Sequence, residues 1–373
     1  MVMTMEKAKA FIKENVVLII AFFAATLTSF IVPPDAEYFG YFDFKTLTCL
    51  FCVLAVVCAL RNIRFFYTMA KAIIRKFRNT RTAILALVYI TFIGSMLIAN
   101  DMALLTFLPL GYFVLHTTGK EKYLAFTYIM QNIAANLGGM LTPFGNPQNL
   151  YLYSKFNIPD AEFVSIMFLP FIISIILITA CCLIFVKSEP LEIEEKAAAL
   201  PVFRTAIYLV LFAFSILIVF KSVPYWLGLI IIPIAILIMD REALKQVDYG
   251  LLFTFVFFFI FAGNMSRIDV VRDFFSYLLE QNTLIFSALS CQVISNVPSA
   301  ILLSQFTENY RELLLGVNIG GAGTLIASLA SLITFKEYTK QDPKHTLGYI
   351  VKFSAYNFAF LIILIIVCSF LGA

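Results

Sequence analysis

The chain has 373 residues, of which 61% are hydrophobic and only 13% are charged, and its formal net charge is +4. A soluble domain is typically about 45–50% apolar and about 25% charged, so this composition excludes a soluble protein and predicts a membrane protein. The basic residues lie in short segments between apolar runs, which excludes nucleic acid as a partner.

Seven apolar runs are predicted to form membrane-spanning helices. Several reach the roughly 17–25 residues that a helix needs to cross a bilayer, and flanking aromatic residues extend the shorter ones. The first run is long, lacks a clear small-residue cleavage site and precedes many others, so it is not expected to be a cleaved signal. The runs cover 16–33, 46–60, 163–186, 204–220, 225–239, 249–262 and 349–370.

The segment 61–82 carries seven basic residues and no acidic residue. Positive charge accumulates in cytoplasmic loops, so this segment and the N-terminus, two spans earlier, are both predicted to be cytoplasmic. We expect the segment to lie along the membrane surface as an interfacial helix. Its basic residues are Arg61, Arg64, Lys71, Arg75, Lys76, Arg78 and Arg81.

The first half of the chain contains two segments that simple spans do not explain. Residues 84–115 are apolar at both ends, polar at Asn100 and Asp101, and flanked by basic loops, which predicts a re-entrant hairpin. Residues 124–152 form a span whose helix is expected to break between Asn136 and Asn149, because the glycines and prolines there cannot sustain a helix.

The second half repeats this order with the opposite predicted orientation. A charged, proline-containing linker over 187–203 separates the halves, and the additional span 204–220 reverses the direction of the later spans. The prediction is an all-α polytopic protein built from inverted-topology repeats. Its parts are a first repeat over 1–186, a linker and connecting helix over 187–224, and a second repeat over 225–373 with a hairpin at 284–308 and a broken helix at 313–335.

One polar cassette is written twice, with a constant offset of 182 residues. Hydrocarbon does not tolerate unsatisfied backbone groups, so glycine-rich polar sequence at membrane depth is expected only where it lines a cavity or the protein interior. Two such interruptions at corresponding places indicate a transporter binding site. The copies contain Asn136, Gly138, Gly139, Thr142, Asn146, Gln148 and Asn149, and Asn318, Gly320, Gly321, Thr324, Ser328 and Ser331.

The predicted hairpin tips carry Asn100 with Asp101, and Ser295 with Asn296. Helix N-termini there attract anions, whereas unwound carbonyls and amide oxygens suit a hard cation such as Na⁺. A carboxylate at the bilayer centre costs about 2.5–3.5 kcal/mol, so Asp101 is a functional candidate for which Na⁺ and a proton compete. The alternatives are that these residues only cap helices, and that the glycine pairs only allow close helix packing.

Catalysis has little support, because the sequence has no Ser/His/Asp set, phosphate-binding glycine loop or zinc cluster. No cofactor is expected beyond Na⁺ or H⁺ as a coupling ion, with Asn100, Asp101 and Asn296 as possible Na⁺ ligands. An enzyme is therefore not predicted.

At these residues the chain resembles the ion transporter superfamily of arsenite-efflux pumps, sodium–proton antiporters, citrate carriers and divalent-anion/sodium symporters. The resemblance rests on Ala99-Asn100-Asp101, Ser295-Asn296-Val297-Pro298 and the two cassettes. It implies a homodimer in a prokaryotic cytoplasmic membrane, with a scaffold domain and an elevator-type transport domain. Dicarboxylate symporters carry Ser-Asn-Thr at both tips, so the first tip here is more similar to the arsenite-efflux and antiporter branch.

Together these features predict an ion-coupled secondary transporter of a small anion or oxyanion. The alternatives are a sodium–proton antiporter, an arsenite-type efflux permease that takes a neutral solute, and a passive channel. The sequence contains no ATP-binding loop, so an ATPase would be a separate chain.

Overall fold

The computed structural model describes residues 15–191 and 200–371. Within these ranges the chain forms helices and turns, and the only strand-like pairing is an isolated bridge between Asn79 and Pro190. Six helical segments of the described residues are long and apolar enough to cross a membrane. The predicted all-α, multi-pass class is therefore confirmed.

The helices follow the predicted runs closely. In chain order they are α1 (Val16–Ile31), α2 (Phe44–Asn62), α3 (Phe65–Ile74), α4 (Thr80–Ile98), α5 (Asn100–Thr117), α6 (Leu124–Gly138), α7 (Pro147–Lys155), α8 (Asp160–Phe185), α9 (Val202–Val219), α10 (Tyr225–Met239), α11 (Arg241–Lys245), α12 (Tyr249–Ser266), α13 (Asp269–Ile294), α14 (Asn296–Leu303), α15 (Tyr310–Ile319), α16 (Leu329–Gln341) and α17 (Thr346–Leu371). Short 3₁₀ helices cover Ala36–Tyr41, Glu121–Tyr123, Gly139–Leu141 and Pro343–His345.

Two segments outside the predicted spans are also helical. Residues 264–283 contain the end of α12 at Ser266 and the start of α13 at Asp269. The arm α4 is predicted to be part of a hairpin, and its length and hydropathy are also sufficient for a span. The predicted N-terminal segment 1–14 and the linker residues 192–199 lie outside the described residues.

The helices pack in two groups. One group contains α1, α2, α9, α10 and α12, and the other contains the hairpins α4–α5 and α13–α14 together with α6, α7, α8, α15, α16 and α17. The groups meet mainly where α14 packs against α12 and where α7 packs against α2.

Both predicted hairpins contain a sharp turn between packed helical arms. The turns fall at Ala99 and Ser295, with φ of 66° and 76°. The helix α13 is itself interrupted at Asn282, so the second hairpin begins beyond that residue, close to the predicted position 284. The helices end at Ile98 and Ile294 and restart at Asn100 and Asn296, and the re-entrant placement of the two hairpins in a membrane stays a prediction.

Both predicted broken helices are interrupted where the cassette lies. The helix α6 ends at Gly138 and α7 starts at Pro147, and α15 ends at Ile319 before α16 starts at Leu329. A proline at the first helical position fits because its missing N–H would have no helical acceptor there. The helix that follows each interruption packs against the other half of the chain: α7 packs on α14 and α15, and α16 packs on α5 and α6.

The start of the linker is fixed to the first half of the chain. The carbonyl of Glu189 accepts a hydrogen bond from the N–H of Thr80 at 2.8 Å. Its carboxylate accepts hydrogen bonds from Lys120 and Lys122, both at 2.6 Å. These two hydrogen bonds lower the pKa of Glu189 from its usual 4.5 to about 2.

Candidate functional site

The two hairpin tips are held by equivalent hydrogen bonds to the helix interruptions. The N–H of Asn100 donates to the carbonyl of Gly145 at 3.1 Å, and the N–H of Asn296 donates to the carbonyl of Ala327 at 3.0 Å. The side-chain oxygen of each asparagine also accepts the N–H of the next residue, at 2.9 Å in both hairpins. The tips are therefore fixed by contacts that match from one half to the other.

The cassette threonines anchor the arm that precedes each tip. Thr142 Oγ1 donates to the carbonyl of Met96 at 2.7 Å, and Thr324 Oγ1 donates to the carbonyl of Gln292 at 3.0 Å. In the second half, Gln292 adds a donor bond to the carbonyl of Gly320 at 2.9 Å. Both predicted site threonines thus have their hydroxyl proton engaged with the backbone.

The two helix interruptions meet in a cluster of side-chain amides. Asn318 Nδ2 donates to Asn149 Oδ1 at 2.6 Å. Asn318 Oδ1 accepts from Asn146 Nδ2 at 3.2 Å and from Gln148 Nε2 at 3.4 Å. All four side chains are almost completely buried. The cassettes, 182 residues apart in sequence, are therefore in direct contact.

The amide cluster is linked to the first hairpin tip through Asn136. Its Oδ1 accepts a hydrogen bond from Asn100 Nδ2 at 3.1 Å. Its carbonyl accepts Asn146 Nδ2 at 3.2 Å. A continuous set of polar contacts therefore runs from the tip to the interruption.

Several polar atoms in this region have no protein partner. They are Asn136 Nδ2, Asn146 Oδ1, Gln148 Oε1 and Asp101 Oδ1. A buried polar atom left unpaired costs about 1–3 kcal/mol, so such groups are normally satisfied by water, an ion or a ligand. Of these residues, Gln148 and Asp101 line one cavity, where a bound solute or ion would complete their two acceptor oxygens.

A cavity of about 320 Å³ lies against both hairpin tips. The first turns of six helices contribute to its wall, namely α1, α5, α7, α12, α14 and α16. Of the predicted site residues, Asn100, Asp101, Ser295 and Asn296 line this cavity, together with Gln148. The amides of Asn136, Asn146, Asn149 and Asn318 form the cluster described above and are not among its lining residues.

Two charged residues in the cavity wall were missed by the sequence analysis. Asp248 lies at the start of α12, where its side chain accepts the N–H of Leu251 at 2.8 Å, and Lys336 lies on α16. The signal for Asp248 was a carboxylate directly before an apolar run, which marks a helix N-terminus. Lys336 has no such local signal.

The cassette glycines and serines have structural contacts of their own. A Cβ at Gly138 would clash with the carbonyl of Phe92, and one at Gly320 would lie 2.9 Å from Ala288 Cα. Cβ atoms at Gly139 and Gly321 would press on the Asn146 side chain and on the carbonyl of Asn318. Ser328 caps α16 by accepting the N–H of Ser331 at 3.2 Å. A ligand role for these residues stays a prediction.

Metal binding by charged ligands alone is not possible here. Over 15–191 and 200–371, no group of three or more His, Cys, Asp or Glu side chains is placed to hold a metal ion. A cation beside Asp101 would therefore use amide, hydroxyl and backbone oxygens in addition to the carboxylate, which are ligands that hard cations accept.

Interrupted helices that meet beside a polar cavity, in a protein with several membrane spans, define the class of membrane solute transporters. The family model described as citrate transporter matches residues 1–310, so the chain belongs to the citrate transporter family. The chain is a transporter rather than an enzyme, and it contacts a solute and the lipid bilayer. This membership confirms the resemblance to the ion transporter superfamily.

Two relatives agree with this assignment. The uncharacterized transporter MJ0456 of Methanocaldococcus jannaschii is 34% identical over 302 residues, which are 80% of this chain and 82% of that protein. The inner membrane protein YbiR of Escherichia coli is 26% identical over 319 residues, covering 83% of this chain and 84% of that protein.

Proposed function

We propose that the protein is a cation-coupled secondary transporter that moves a small anion or oxyanion across a prokaryotic cytoplasmic membrane. The observation that supports this most is the convergence of both hairpin tips on one cavity that also contains the Asp101 carboxylate. Solute and coupling ion would share that cavity, which is what makes their movement interdependent.

The first turns of six helices in the cavity wall support an anionic solute. A helix N-terminus carries roughly half a positive charge and offers free N–H groups, so it attracts anions. The exposed cation of Lys336 adds to this potential. The 320 Å³ cavity is at the lower end of the roughly 300–1,000 Å³ typical of small-molecule sites, which favours a small solute.

The coupling ion is assigned to Asp101 and the adjacent asparagine oxygens. Asp101 Oδ1 has no hydrogen-bond partner although it is buried. Either Na⁺ or a proton would satisfy it, with Asn100 and Asn296 as neighbours in the same wall. Binding of the cation would reduce the repulsion between Asp101 and an incoming anion, so the two would bind cooperatively.

The matched contacts of the two halves support inverted repeats and an elevator movement. The hairpin tips bond to Gly145 in the first half and to Ala327 in the second, which are equivalent positions of the two cassettes. The cassette threonines bond to Met96 and Gln292, which are equivalent positions of the two hairpins. The group with the hairpins would be the transport domain, and the group around α2 and α12 would be the scaffold. A homodimer with cytoplasmic N-termini is expected from the resemblance and the positions of basic residues.

A sodium–proton antiporter is the second candidate, because the cavity also contains Asp248. Two carboxylates in one cavity, Asp101 and Asp248, repel an anion and attract cations. An arsenite-type permease for a neutral solute would use the amides instead.

Purified protein in liposomes distinguishes these functions. Uptake of citrate, phosphate, sulfate and arsenite would be measured with and without an imposed Na⁺ or H⁺ gradient. The proposal predicts that one of the anions citrate, phosphate and sulfate accumulates only when the gradient is present, whereas transport of arsenite alone, which is neutral at pH 7, would favour the permease. Na⁺ that dissipates a pH gradient without any anion would establish the antiporter, and flux that ignores both gradients would establish a channel.

A further inference from the structure

A second cavity, of about 370 Å³, lies away from the hairpin tips. It is formed between the connection from α2 to α3 and the outer side of α5. Arg61, in the last turn of α2, and Arg64, which precedes α3 with a φ of 55°, both line it. Because α2 is a candidate span, this cavity lies at the end of a membrane helix.

Among the described residues, the two guanidinium groups in this cavity form no ion pair. Arg61 donates to Met102 Sδ at 3.4 Å and to Gln246 Oε1 at 3.2 Å, which are both neutral. In the part of the chain that the structure describes, neither Arg61 nor Arg64 lies within 4.0 Å of a carboxylate. The segment 61–82 contains no acidic residue either. The local charge of this site is therefore positive, which favours an anion as its ligand.

The remaining wall of the cavity is mostly apolar. Leu105 and Pro109 lie four residues apart on α5, hence on the same side of that helix, and both are exposed. Phe66 and Tyr67 of α3 form the facing wall. The cavity thus has two arginines at one side and exposed apolar residues next to them. This arrangement is complementary to a molecule that has an anionic head group and a hydrocarbon tail.

We propose that this cavity binds an anionic phospholipid, with the phosphate on Arg61 and Arg64 and an acyl chain along Leu105 and Pro109. Arginine recognises phosphate through paired N–H donors, and basic pockets between membrane helices bind phospholipid head groups. A soluble phosphate would leave the apolar wall in contact with water. The lipid would contact α2 and α3 on one side and the first hairpin on the other, so its binding would stabilise their packing.

Thermal unfolding of the detergent-purified protein tests the proposal. The melting temperature would be titrated with phosphatidylglycerol, with zwitterionic phosphatidylcholine, and with soluble glycerol phosphate and inorganic phosphate. A lipid that binds only the folded protein raises the melting temperature with its concentration. We expect a saturable rise with phosphatidylglycerol alone. An equal rise with inorganic phosphate would show a soluble-anion site and overturn the proposal.

Matched double variants locate the effect. R61Q/R64Q removes the two proposed phosphate ligands, and R75Q/K76Q removes the same charge from exposed positions of the same segment that do not line the cavity. The first variant should weaken phosphatidylglycerol binding about twenty- to thirtyfold, whereas the second should keep most of it. Equal losses in both variants would mean a diffuse charge effect and contradict the proposal.

A variant with unchanged charge covers the case in which R61Q/R64Q does not fold. Leu105→Trp fills the apolar wall at a side chain that is 47% exposed, so its folding should be little affected. The melting temperature without lipid should stay close to that of the unmodified protein, and the response to phosphatidylglycerol should be lost. A full response in Leu105→Trp would exclude the acyl-chain position.

Discussion

Asn318 donates a hydrogen bond of 2.6 Å to Asn149, and this contact joins the two helix interruptions across 169 residues of sequence. Each asparagine lies in one copy of the cassette. Because Asn318 also accepts from Asn146 and Gln148, a single side chain of the second half is bonded to three side chains of the first. The two interruptions are therefore joined into one polar unit.

Asn318→Ala should destabilise the protein more than the removal of a side-chain amide that makes a single hydrogen bond. It would leave the N–H groups of Asn146 and Gln148 and the oxygen of Asn149 without this partner, and a buried group left unpaired costs about 1–3 kcal/mol. The measurement is the midpoint of thermal unfolding. Gln341→Ala is the control, because its amide bonds only to Glu337 in its own helix. Similar midpoints for the two variants would contradict the structural role of Asn318.

Gly138→Ala and Gly320→Ala should each lower stability by about 1–3 kcal/mol, the usual effect of overpacking a tight contact. The added methyl groups would meet the carbonyl of Phe92 and the Cα of Ala288, which belong to the hairpin arms. Gly348→Ala is the matched control: it lies in α17 with nothing within 4 Å, so it should be neutral or stabilising. Unfolding midpoints would check all three, and a tolerated Gly138→Ala would show that the arm moves away easily.

The hairpins and interruptions are expected from the sequence for a local reason. Glycine, proline and amide residues within an apolar run do not sustain a helix in lipid. The segment from Asn136 to Asn149 therefore predicts a helix interruption whatever the rest of the fold. The charges of Asp248 and Lys336 were missed because these residues belong to helices that are distant in sequence, and only folding brings them into the wall of the cavity that Asp101 also lines. The hydrophobic periodicity of the sequence does not indicate which distant helices come together.

The ion pairs of Glu189 should make stability depend on pH in the acidic range. The hydrogen bonds from Lys120 and Lys122 lower the pKa of Glu189 from 4.5 to about 2 in the folded protein. The stabilisation is therefore fully present above about pH 4.5 and is lost as the pH falls towards 2. The group is largely solvated, so added salt should reduce the effect.

Glu189→Gln tests this dependence directly. The difference in unfolding midpoint between the unmodified protein and Glu189→Gln should be largest at neutral pH and should shrink as the pH falls below about 4.5. Glu280→Gln is the control, since Glu280 forms no ion pair within the described residues. If the difference in unfolding midpoint stays constant from pH 7 to pH 3, Glu189 is not the source of the pH dependence.

Asp101→Asn is the sharpest test of the proposed coupling. The amide keeps the size of the side chain but removes its charge, so the affinity for the coupling cation should fall at least about tenfold, since a contact with a charged group contributes about 1.5–3 kcal/mol. Anion accumulation driven by a Na⁺ or H⁺ gradient should be lost, and any remaining flux should no longer depend on pH.

The control is Asp273→Asn, which removes an exposed carboxylate outside the cavity and should transport normally. The unfolding midpoint of Asp101→Asn should not fall, because Asp101 Oδ1 has no protein partner to lose. Gradient-driven transport with unmodified pH dependence in Asp101→Asn would show that the carboxylate takes no part in coupling, and would move the search to Asp248, the other carboxylate of the cavity.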